Sequence, residues 1–214
     1  LSGIRKVESG EIYLDGNKVS DSQNFLDPRE LKEKGLAHVP EDRQRMGLVT
    51  DFKAYENLIF GYHDQKPFSK SSILNHRDII SHSKKIMEEY DVRPQSPNLI
   101  TSNFSGGNQQ KVVFAKWLAM KPNVLLLDEP TRGIDVAAKE EIYRVIRERA
   151  EAGAGVLMVS SELIEILGLT DRILVMADGA IVGELEPGAT EEDVMQKITT
   201  SSRQNSTGSE REMQ

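Results

Sequence analysis

Apolar residues recur along the chain in two spacings, one typical of strands and one of helices. Ile12 and Leu14 alternate with polar residues ahead of the turn sequence Asp-Gly-Asn, which predicts a strand entering a tight turn. The charged stretch at residues 29–34 suggests a short helix, and residues 35–39 read as a short strand. The chain therefore opens with strand elements separated by a short helix.

The middle of the chain changes to a helical period. Residues 71–90 carry apolar positions spaced like one face of a helix or of a bent pair of helices. Residues 109–120 show a second helical pattern that ends before Pro122. We expect a helical insertion here, between two parts of a core built from strands and helices.

Strands and helices alternate again in the last third. Residues 124–127 are apolar on both faces, as in a buried parallel strand, and residues 136–152 follow with helical spacing. Residues 156–159 predict the next buried strand, residues 161–167 a helix, and residues 173–185 a hairpin. Strands joined by crossover helices imply a parallel sheet covered on both faces.

These patterns predict an α/β fold with two regions and a tail. Residues 1–54 and 121–200 are assigned to an α/β core with a mostly parallel sheet, and residues 55–120 to a helical subdomain. Residues 201–214 are polar and aperiodic, and we predict them to be disordered. Because the chain starts at Leu1 without an initiator Met, we expect it to be a fragment whose core is incomplete at the N-terminus.

Composition narrows the function classes. The formal net charge of -7 argues against a nucleic-acid surface, which needs clustered Lys and Arg. The absence of cysteine excludes disulfides, thiolate metal sites and cysteine nucleophiles. Apolar runs such as residues 124–127 are far too short to cross a bilayer, and the start of the chain lacks the features of a signal peptide.

Two acids leave the predicted strand at residues 124–127. Adjacent carboxylates at the end of a buried strand are costly unless a cation or a solvent-filled cleft receives them. Mg²⁺ bound to nucleotide phosphates would be such a cation, with Asp128 holding the metal and Glu129 activating the attacking water. The alternative is an acid pair satisfied by backbone amides at the edge of the core.

The sequence Ser105-Gly106-Gly107 opens the second predicted helix. A small hydroxyl and two glycines leave backbone amides bare at the positive end of a helix, which predicts an anion site. The alternative is an ordinary serine N-cap after a loop.

Together, the two motifs resemble the ABC ATPase family, which places a signature loop ahead of its Walker B strand in this order. The resemblance covers about residues 1 to 200 and implies a P-loop NTPase core that uses ATP and Mg²⁺. It assigns the metal contact to Asp128 and the catalytic base to Glu129. It also implies nucleotide contacts at the signature and D-loop positions, which are Ser105, Gly106, Gly107, Asn108 and Asp135.

Longer motifs resemble the second of two fused ATPase halves in ribose-type importers and their nucleoside-importing relatives. These are Ser-Gly-Gly-Asn-Gln-Gln-Lys, Asp-Glu-Pro-Thr-Arg-Gly-Ile-Asp-Val, Pro-Glu-Asp-Arg and Val-Ser-Ser-Glu-Leu. Residues 67–70 and 90–93 lean slightly towards the nucleoside branch. The resemblance implies membrane permease subunits and a second ATPase half as partners, a solute-binding protein as an indirect partner, no nucleic acid, and a place at the cytoplasmic face of the membrane.

Two positions depart from the common pattern of the family. Glu41 stands where most members have Gln, and Ser161 stands where most have a His that contacts the γ-phosphate. A serine side chain is shorter and cannot carry positive charge. We therefore expect this half's own ATP site to hydrolyse weakly or not at all, while its signature loop serves the ATP of the partner half.

No Gly-x-x-x-x-Gly-Lys-Ser/Thr sequence occurs in the 214 residues, so we expect this chain by itself to bind ATP poorly. Two alternatives to a transport ATPase remain at this point. One is a catalytically silent dimerisation and docking half. The other is a non-transport ABC ATPase acting on DNA or ribosomes, although such proteins usually carry long coiled-coil insertions or basic arms.

Overall fold

A computed structural model describes residues 1–200 of the protein, and the predicted tail at 201–214 lies outside the described residues. Internal contacts divide the chain into two compact units, one of Leu1–Val159 and one that begins at Ser160. The two units are described separately. The proposed boundaries of a helical subdomain at 55–120 stay a prediction, because the first unit holds those residues together with much of the predicted core.

The first unit contains seven short strands and five α-helices within its described residues. The strands are β1 (Glu11–Leu14), β2 (Asn17–Asp21), β3 (Leu36–Val39), β4 (Ser69–Lys70), β5 (Ile73–Leu74), β6 (Val124–Asp128) and β7 (Gly155–Val159). The helices are α1 (Pro28–Glu33), α2 (Ala54–Ile59), α3 (His76–Glu89), α4 (Gly106–Leu118) and α5 (Val136–Glu151). A π-helical turn spans Arg43–Gly47, and a 3₁₀ turn spans Thr101–Asn103.

The centre of this unit is a parallel sheet in the order β3-β6-β7. The middle strand β6 pairs with β3 from Leu36 opposite Val124, and with β7 from Val124 opposite Gly155. Hydrogen bonds on both edges of β6 and packing on its faces explain why its first four residues are apolar. The predicted parallel sheet and its buried strand are confirmed.

One face of the sheet carries the main core. Leu125 and Leu127 of β6 pack there with α4 and α5, whose buried residues include Val112, Val113 and Ile142. These apolar positions recur at helical spacing, as the sequence predicts. The two helices and the sheet thereby form one continuous layer of apolar contacts.

The opposite face is covered only in part, which corrects the expectation that residues 156–159 are buried. Helix α1 and the β1-β2 hairpin cover Leu36 and Leu126 on that face. They do not bury β7, where Leu157 is 41% and Val159 57% exposed. Only Val156 and Met158, which point to the other face, pack against the main core. Sequence alone makes all four look alike because the whole strand is apolar.

The pattern at residues 71–90 also needs a correction. Residues 69–74 form the β4-β5 hairpin, and α3 begins only at His76. Ser71 and Ser72 adopt left-handed backbone angles that close this turn. Asn75 then caps the helix by accepting a hydrogen bond from the amide of Asp78 at 3.3 Å. The start of the helix is therefore set by a cap rather than by the apolar period.

A buried asparagine joins α2 to the loops beside it. The side-chain oxygen of Asn57 accepts from the amide of Val49 at 2.8 Å, and its nitrogen donates to the carbonyl of Val49 at 2.8 Å. The same nitrogen donates to the hydroxyl of Thr101 at 2.9 Å. Both the oxygen and the nitrogen of this buried amide group have partners inside the chain, which holds α2 close to the turn that precedes α4.

The second unit is a small packed cluster. It contains α6 (Leu163–Leu169), β8 (Ile173–Ala177) and β9 (Ala180–Leu185), and residues 191–200 are helical. Strands β8 and β9 form the predicted hairpin, and Ile173, Val175 and Val194 make its core. In the part of the chain that the structure describes, every helix is too short or too polar to cross a membrane.

A buried lysine lies on α4. Lys116 is 5% exposed, its ammonium group donates to the carbonyl of Gly47 at 2.6 Å, and it lies 5.1 Å from the ring centroid of Trp117. Burial lowers the pKa of Lys116 to about 8, because the charged form loses its hydration. The contact ties the π-helical turn at Arg43–Gly47 to the last turn of α4.

This burial predicts a dependence of stability on pH. The unfolded chain binds more protons than the folded chain between pH 8 and the ordinary lysine pKa of 10.5. The free energy of unfolding should therefore rise across that interval, by up to about 3 kcal/mol relative to Lys116→Met. Urea denaturation from pH 7.5 to 10.5 would measure this rise in stability. Lys84→Met, at an exposed position of α3, is the control. Parallel pH profiles for wild type and Lys116→Met would contradict the prediction.

Candidate functional site

An open cleft of about 820 Å³ lies at the carboxyl ends of β3 and β6. Its lining comprises Leu1, Ser2, Ile4, Arg5, His38, residues 40–46, Asp128 and Arg132. Four arginines and three carboxylates lie among these residues, so the lining carries charges of both signs. Ligands of parallel α/β sheets bind at this end of the strands, which makes the cleft the first candidate for a site.

Asp128 is the last residue of β6 and lines this cleft. The strand carries its carboxylate from the core to the edge of the sheet, where the residue is half-buried. One carboxylate facing a wet cleft suits Mg²⁺, which keeps several waters and binds proteins through one or two carboxylates beside phosphate oxygens. The donor present at this edge therefore fits the metal that the resemblance implies.

Glu129 has a strained backbone directly after the strand. Its φ of 46° lies in the left-handed region, which residues with a Cβ rarely adopt. Its amide donates to the carbonyl of Val159 at 2.9 Å, which joins the ends of β6 and β7. Such strain persists where surrounding contacts over-determine it, and it concentrates at functional positions. Glu129 is half-buried and is not among the residues that line the cleft.

Glu41 lies on the rim of the cleft and forms an ion pair with Arg132. Both side chains are substantially exposed, so the pair contributes little to stability. Its value is positional, because it connects the segment after β3 to the loop after β6.

His38 of β3 also faces the cleft. Burial lowers the pKa of His38 below its ordinary value, and the negative charge of Asp128 opposes that shift. The imidazole is therefore neutral near pH 7. A neutral ring beside Asp128 adds no charge to the cleft, which leaves the carboxylate available to a cation.

Ser105 begins α4 as its N-cap, and Asn108 holds it in place. The Ser105 hydroxyl accepts from the amide of Asn108 at 3.4 Å and from the Asn108 side-chain nitrogen at 3.0 Å. The Asn108 side-chain oxygen accepts from the amide of Arg93 at 2.6 Å. Both ends of the Asn108 amide group are thus engaged inside the chain, so this geometry favours a positioning role over direct contact with a nucleotide.

Gly106 and Gly107 lie in the first turn of α4, where neighbouring groups approach closely. A Cβ on Gly106 would come within 2.8 Å of a terminal nitrogen of Arg43 and 3.3 Å of the carbonyl of Gly133. A Cβ on Gly107 would come within 2.8 Å of the Cβ of Ala138. Neither glycine has a positive φ, so the requirement for glycine here is one of space.

Asp135 ends the loop after β6 and caps α5. Its carboxylate accepts from the amide of Ala138 at 2.9 Å. The loop that contains it lies next to the start of α4, as the close approach of Gly106 to Gly133 shows. The predicted signature and D-loop positions are therefore adjacent, and neither Ser105 nor Asp135 is among the residues that line the cleft.

Ser161 belongs to the second unit, two residues after β7. Its side chain is exposed. The neighbouring Ser160 donates to the buried carboxylate of Glu165 at 2.8 Å and accepts from the amide of Glu162 at 3.0 Å. These contacts hold the turn that presents Ser161.

The sequence pattern did not predict the hydrogen bonds by which buried polar residues anchor α4. Gln110 donates to the carbonyl of Pro130 at 2.7 Å, which ties the helix to the chain just after Glu129. Gln109 donates to the carbonyl of Thr101 at 3.3 Å and accepts from Gln44 at 3.1 Å. Both glutamines are buried. Their signal in the sequence is a run of polar residues, 108–111, that would cover every face of the helix.

The fold and the candidate site together define an ATP-binding cassette, and the family comparison agrees. A family model described as ABC transporter matches residues 1–132. The chain belongs to this family.

Curated relatives carry the names of sugar-import proteins. The chain is 42% identical over 200 residues to a ribose import ATP-binding protein of Oceanobacillus iheyensis, an alignment that covers 93% of this chain and 39% of the relative. It is 46% identical over 177 residues to a xylose import ATP-binding protein of Thermoanaerobacter pseudethanolicus, covering 83% of this chain and 34% of the relative. The chain thus spans about two fifths or less of the length of these relatives.

Solved structures of ATP-binding cassettes share the fold. A nucleotide-free ATP-binding cassette from an ABC transporter superposes with a TM-score of 0.72 at 21% identity, covering 92% of this chain and 76% of that chain. A cassette in a dimeric post-hydrolysis state, bound to ADP and Pi, superposes with a TM-score of 0.69 at 23% identity, covering 88% and 78%. The α/β fold with a parallel sheet is confirmed.

The hydrogen bonds of Asn108 generate a prediction. Asn108→Ala removes the side-chain contacts to the Ser105 hydroxyl and to the amide of Arg93 but keeps the backbone bond to Ser105, and should lower the free energy of unfolding by about 1–2 kcal/mol. Asn108→Asp keeps an acceptor for the amide of Arg93 and places a negative charge in the first turn of α4. Its stability should stay within about 0.5 kcal/mol of wild type. Urea denaturation of the two variants measures the difference, and equal losses would exclude this role for Asn108.

Proposed function

We propose that this chain is one half of the ATP-binding and ATP-hydrolysing subunit of a sugar importer, in which ATP binding and hydrolysis drive transport by a membrane permease. The observation that carries the proposal is the separation of two groups on one unit. Asp128 lines the cleft at the end of β6, whereas the glycine-rich start of α4 lies outside the lining of that cleft. Membership of the ABC transporter family and the names of the relatives support it.

The acids at the end of β6 have distinct roles in this proposal. Asp128 holds Mg²⁺ in the cleft, and the metal neutralises charge on the phosphates when it is bound. Glu129 orients the attacking water and accepts its proton. The bond between the Glu129 amide and Val159 fixes the backbone that carries this carboxylate. Glu41 borders the same cleft and contributes to the shape of the nucleotide site.

The start of α4 serves a different nucleotide in this proposal. Ser105, Gly106 and Gly107 present a hydroxyl and helix-start amides to the ATP held by a second ATPase half, and Asp135 contributes from the adjacent loop. Asn108 keeps the Ser105 hydroxyl in place. One chain thereby takes part in two nucleotide sites, one through its cleft and one through its glycine-rich helix start.

Partners, solute and location follow from the same proposal. A second ATPase half, in the same polypeptide, pairs with this chain, since the relatives are more than twice as long as the region they share with it. The permease subunits bind the pair at the cytoplasmic face of the membrane, and a solute-binding protein acts through them. The relatives named for ribose and xylose favour a monosaccharide over a nucleoside as solute. A docking half without catalysis stays the alternative.

Substitution of the proposed base tests hydrolysis. Glu129→Gln keeps the size of the side chain but cannot accept a proton. In the Ser161→His background, where turnover at this half's own site is expected to be raised, that turnover should fall at least about 100-fold while ATP binding is kept. Turnover and nucleotide affinity would be measured in the native polypeptide that carries this chain. Glu140→Gln, at an exposed position of α5, is the control. Unchanged turnover in Glu129→Gln would favour the docking alternative.

A substitution at Ser161 tests the hypothesis that this half's own ATP site hydrolyses ATP weakly or not at all. Ser161→His introduces a side chain that can donate to a γ-phosphate, and should raise turnover at this half's own site by roughly tenfold or more. The measurement is single-site ATP turnover in the native polypeptide with the other site inactivated. Ser161→Ala, which adds no donor, should give no gain. A Ser161→His variant with wild-type turnover would count against the hypothesis.

A further inference from the structure

Arg43 lies where three functional segments meet. It belongs to the π-helical turn that follows Asp42, and it is half-buried. One terminal nitrogen donates to the carbonyl of Arg132 at 3.0 Å, in the loop after β6. The other lies beside the first residue of α4, 2.8 Å from the position that a Cβ of Gly106 would occupy. The planar guanidinium group thus bridges the loop and the helix start.

The position of this group explains why residue 106 is glycine. Gly106 has helical backbone angles that any residue can adopt. Real Cβ atoms almost never approach another heavy atom within 3.0 Å, so alanine at 106 would require the end of the flexible Arg43 side chain to move. Movement of Arg43 to relieve the collision would stretch its bond to Arg132, because the two terminal nitrogens belong to one rigid plane. Close packing here needs both residues.

The burial of Nε and the backbone around Arg43 also bear on where the guanidinium lies. Its Nε is buried and has no hydrogen-bond partner among residues 1–200. A buried donor without a partner costs free energy, so contacts elsewhere on the side chain must offset that cost. The segment that carries Arg43 is itself held by Asp42, whose carboxylate accepts from the amides of Gln44 and Arg45 at 3.1 Å each. The guanidinium is therefore placed by its backbone as well as by its partners.

We propose that Arg43 is a positioning residue that locks the Ser105–Gly107 helix start to the Arg132–Asp135 loop, and that Gly106 lacks a side chain to admit the Arg43 guanidinium. The same segment lines the cleft through Glu41, Arg43 and Arg45, and Glu41 pairs with Arg132. Two residues of this segment therefore hold the Arg132 loop: Glu41 through the Arg132 side chain, and Arg43 through the Arg132 carbonyl. A shift of the 41–45 segment moves the glycine-rich helix start with it, which couples the cleft to the second nucleotide. This last consequence rests on the proposed function; the lock itself does not.

A double-mutant cycle tests the lock. Gly106→Ala should lower the thermal unfolding midpoint by roughly 3–6 °C, because the new methyl group collides with Arg43. In the Arg43→Ala background the same change should cost no more than about half as much, because only the approach of the new methyl group to the Gly133 carbonyl at 3.3 Å remains. Arg43→Lys combined with Gly106→Ala is a second double-mutant cycle. It removes the bulk of the guanidinium but keeps a positive charge. Additive losses in both pairs would overturn the proposal.

Gly107→Ala is the matched control. Its added methyl group would meet Ala138 instead of Arg43, at the same distance of 2.8 Å. Removal of Arg43 should therefore leave the cost of Gly107→Ala unchanged. Rescue of both glycine variants by Arg43→Ala would mean a general loosening of α4, and would overturn the specific contact.

Two further readouts separate positioning from bulk stability. Amide hydrogen exchange at residues 106–109 should be at least about tenfold faster in Arg43→Ala under conditions where both proteins are folded. In the native polypeptide, kcat for ATP should fall at least about fivefold with KM changed less than about twofold, and Arg43→Lys should restore part of it. Unchanged exchange would overturn the lock. Absence of ATP turnover in the wild-type polypeptide would contradict the proposed function. The double-mutant cycle would still test the contact between Arg43 and Gly106, because it measures only stability.

Discussion

The pairing of β6 with a strand on each edge is the constraint on which the remaining structure depends. Because β6 pairs with β3 along one edge and with β7 along the other, its four apolar residues lie inside the sheet and the acids that follow them emerge at its carboxyl end. The strand places Asp128 at the cleft and turns the chain at Glu129 into a strained conformation. The bond from Glu129 to Val159 needs β7 in register beside it. Loss of this pairing would displace both acids at once.

Helix α4 is attached to that sheet in two ways. Its apolar residues pack on Leu125 and Leu127, which gives affinity for the sheet without a specific orientation. Hydrogen bonds of two buried polar side chains on the helix supply the orientation, from Gln110 to the carbonyl of Pro130 and from Lys116 to the carbonyl of Gly47. Directional bonds of this kind fix a helix start to a fraction of an ångström, which is the precision that an anion site made of amides requires.

The sequence predicts the fold where apolar periods and caps act locally. The strand at 124–127, the helix at 136–152 and the hairpin at 173–185 need only neighbouring residues to be recognised, and all three are confirmed. Burial on the second face of β7 was wrong, because coverage depends on how far α1 and the β1-β2 hairpin extend across the sheet. No local pattern records that distance.

The candidate site divides along the same line. Asp128, Glu129 and the Ser105–Gly107 sequence stand out because acids after an apolar strand and glycines at a helix start are rare without a reason. Arg43 and Gln110 do not, since their partners are backbone carbonyls 89 and 20 residues away in sequence. A carbonyl acceptor leaves no mark on residue identity, so such contacts become visible only in three dimensions.

The uneven cover of β7 bears on how the chain behaves as a separate molecule. Leu157 and Val159 face outward on a strand whose second edge pairs with no other strand in residues 1–200. An apolar strand with a free row of amides and carbonyls is a template for association with another chain. In the purified polypeptide, we expect copies to associate through this edge. Such association would increase with protein concentration and would stop once another segment pairs with β7.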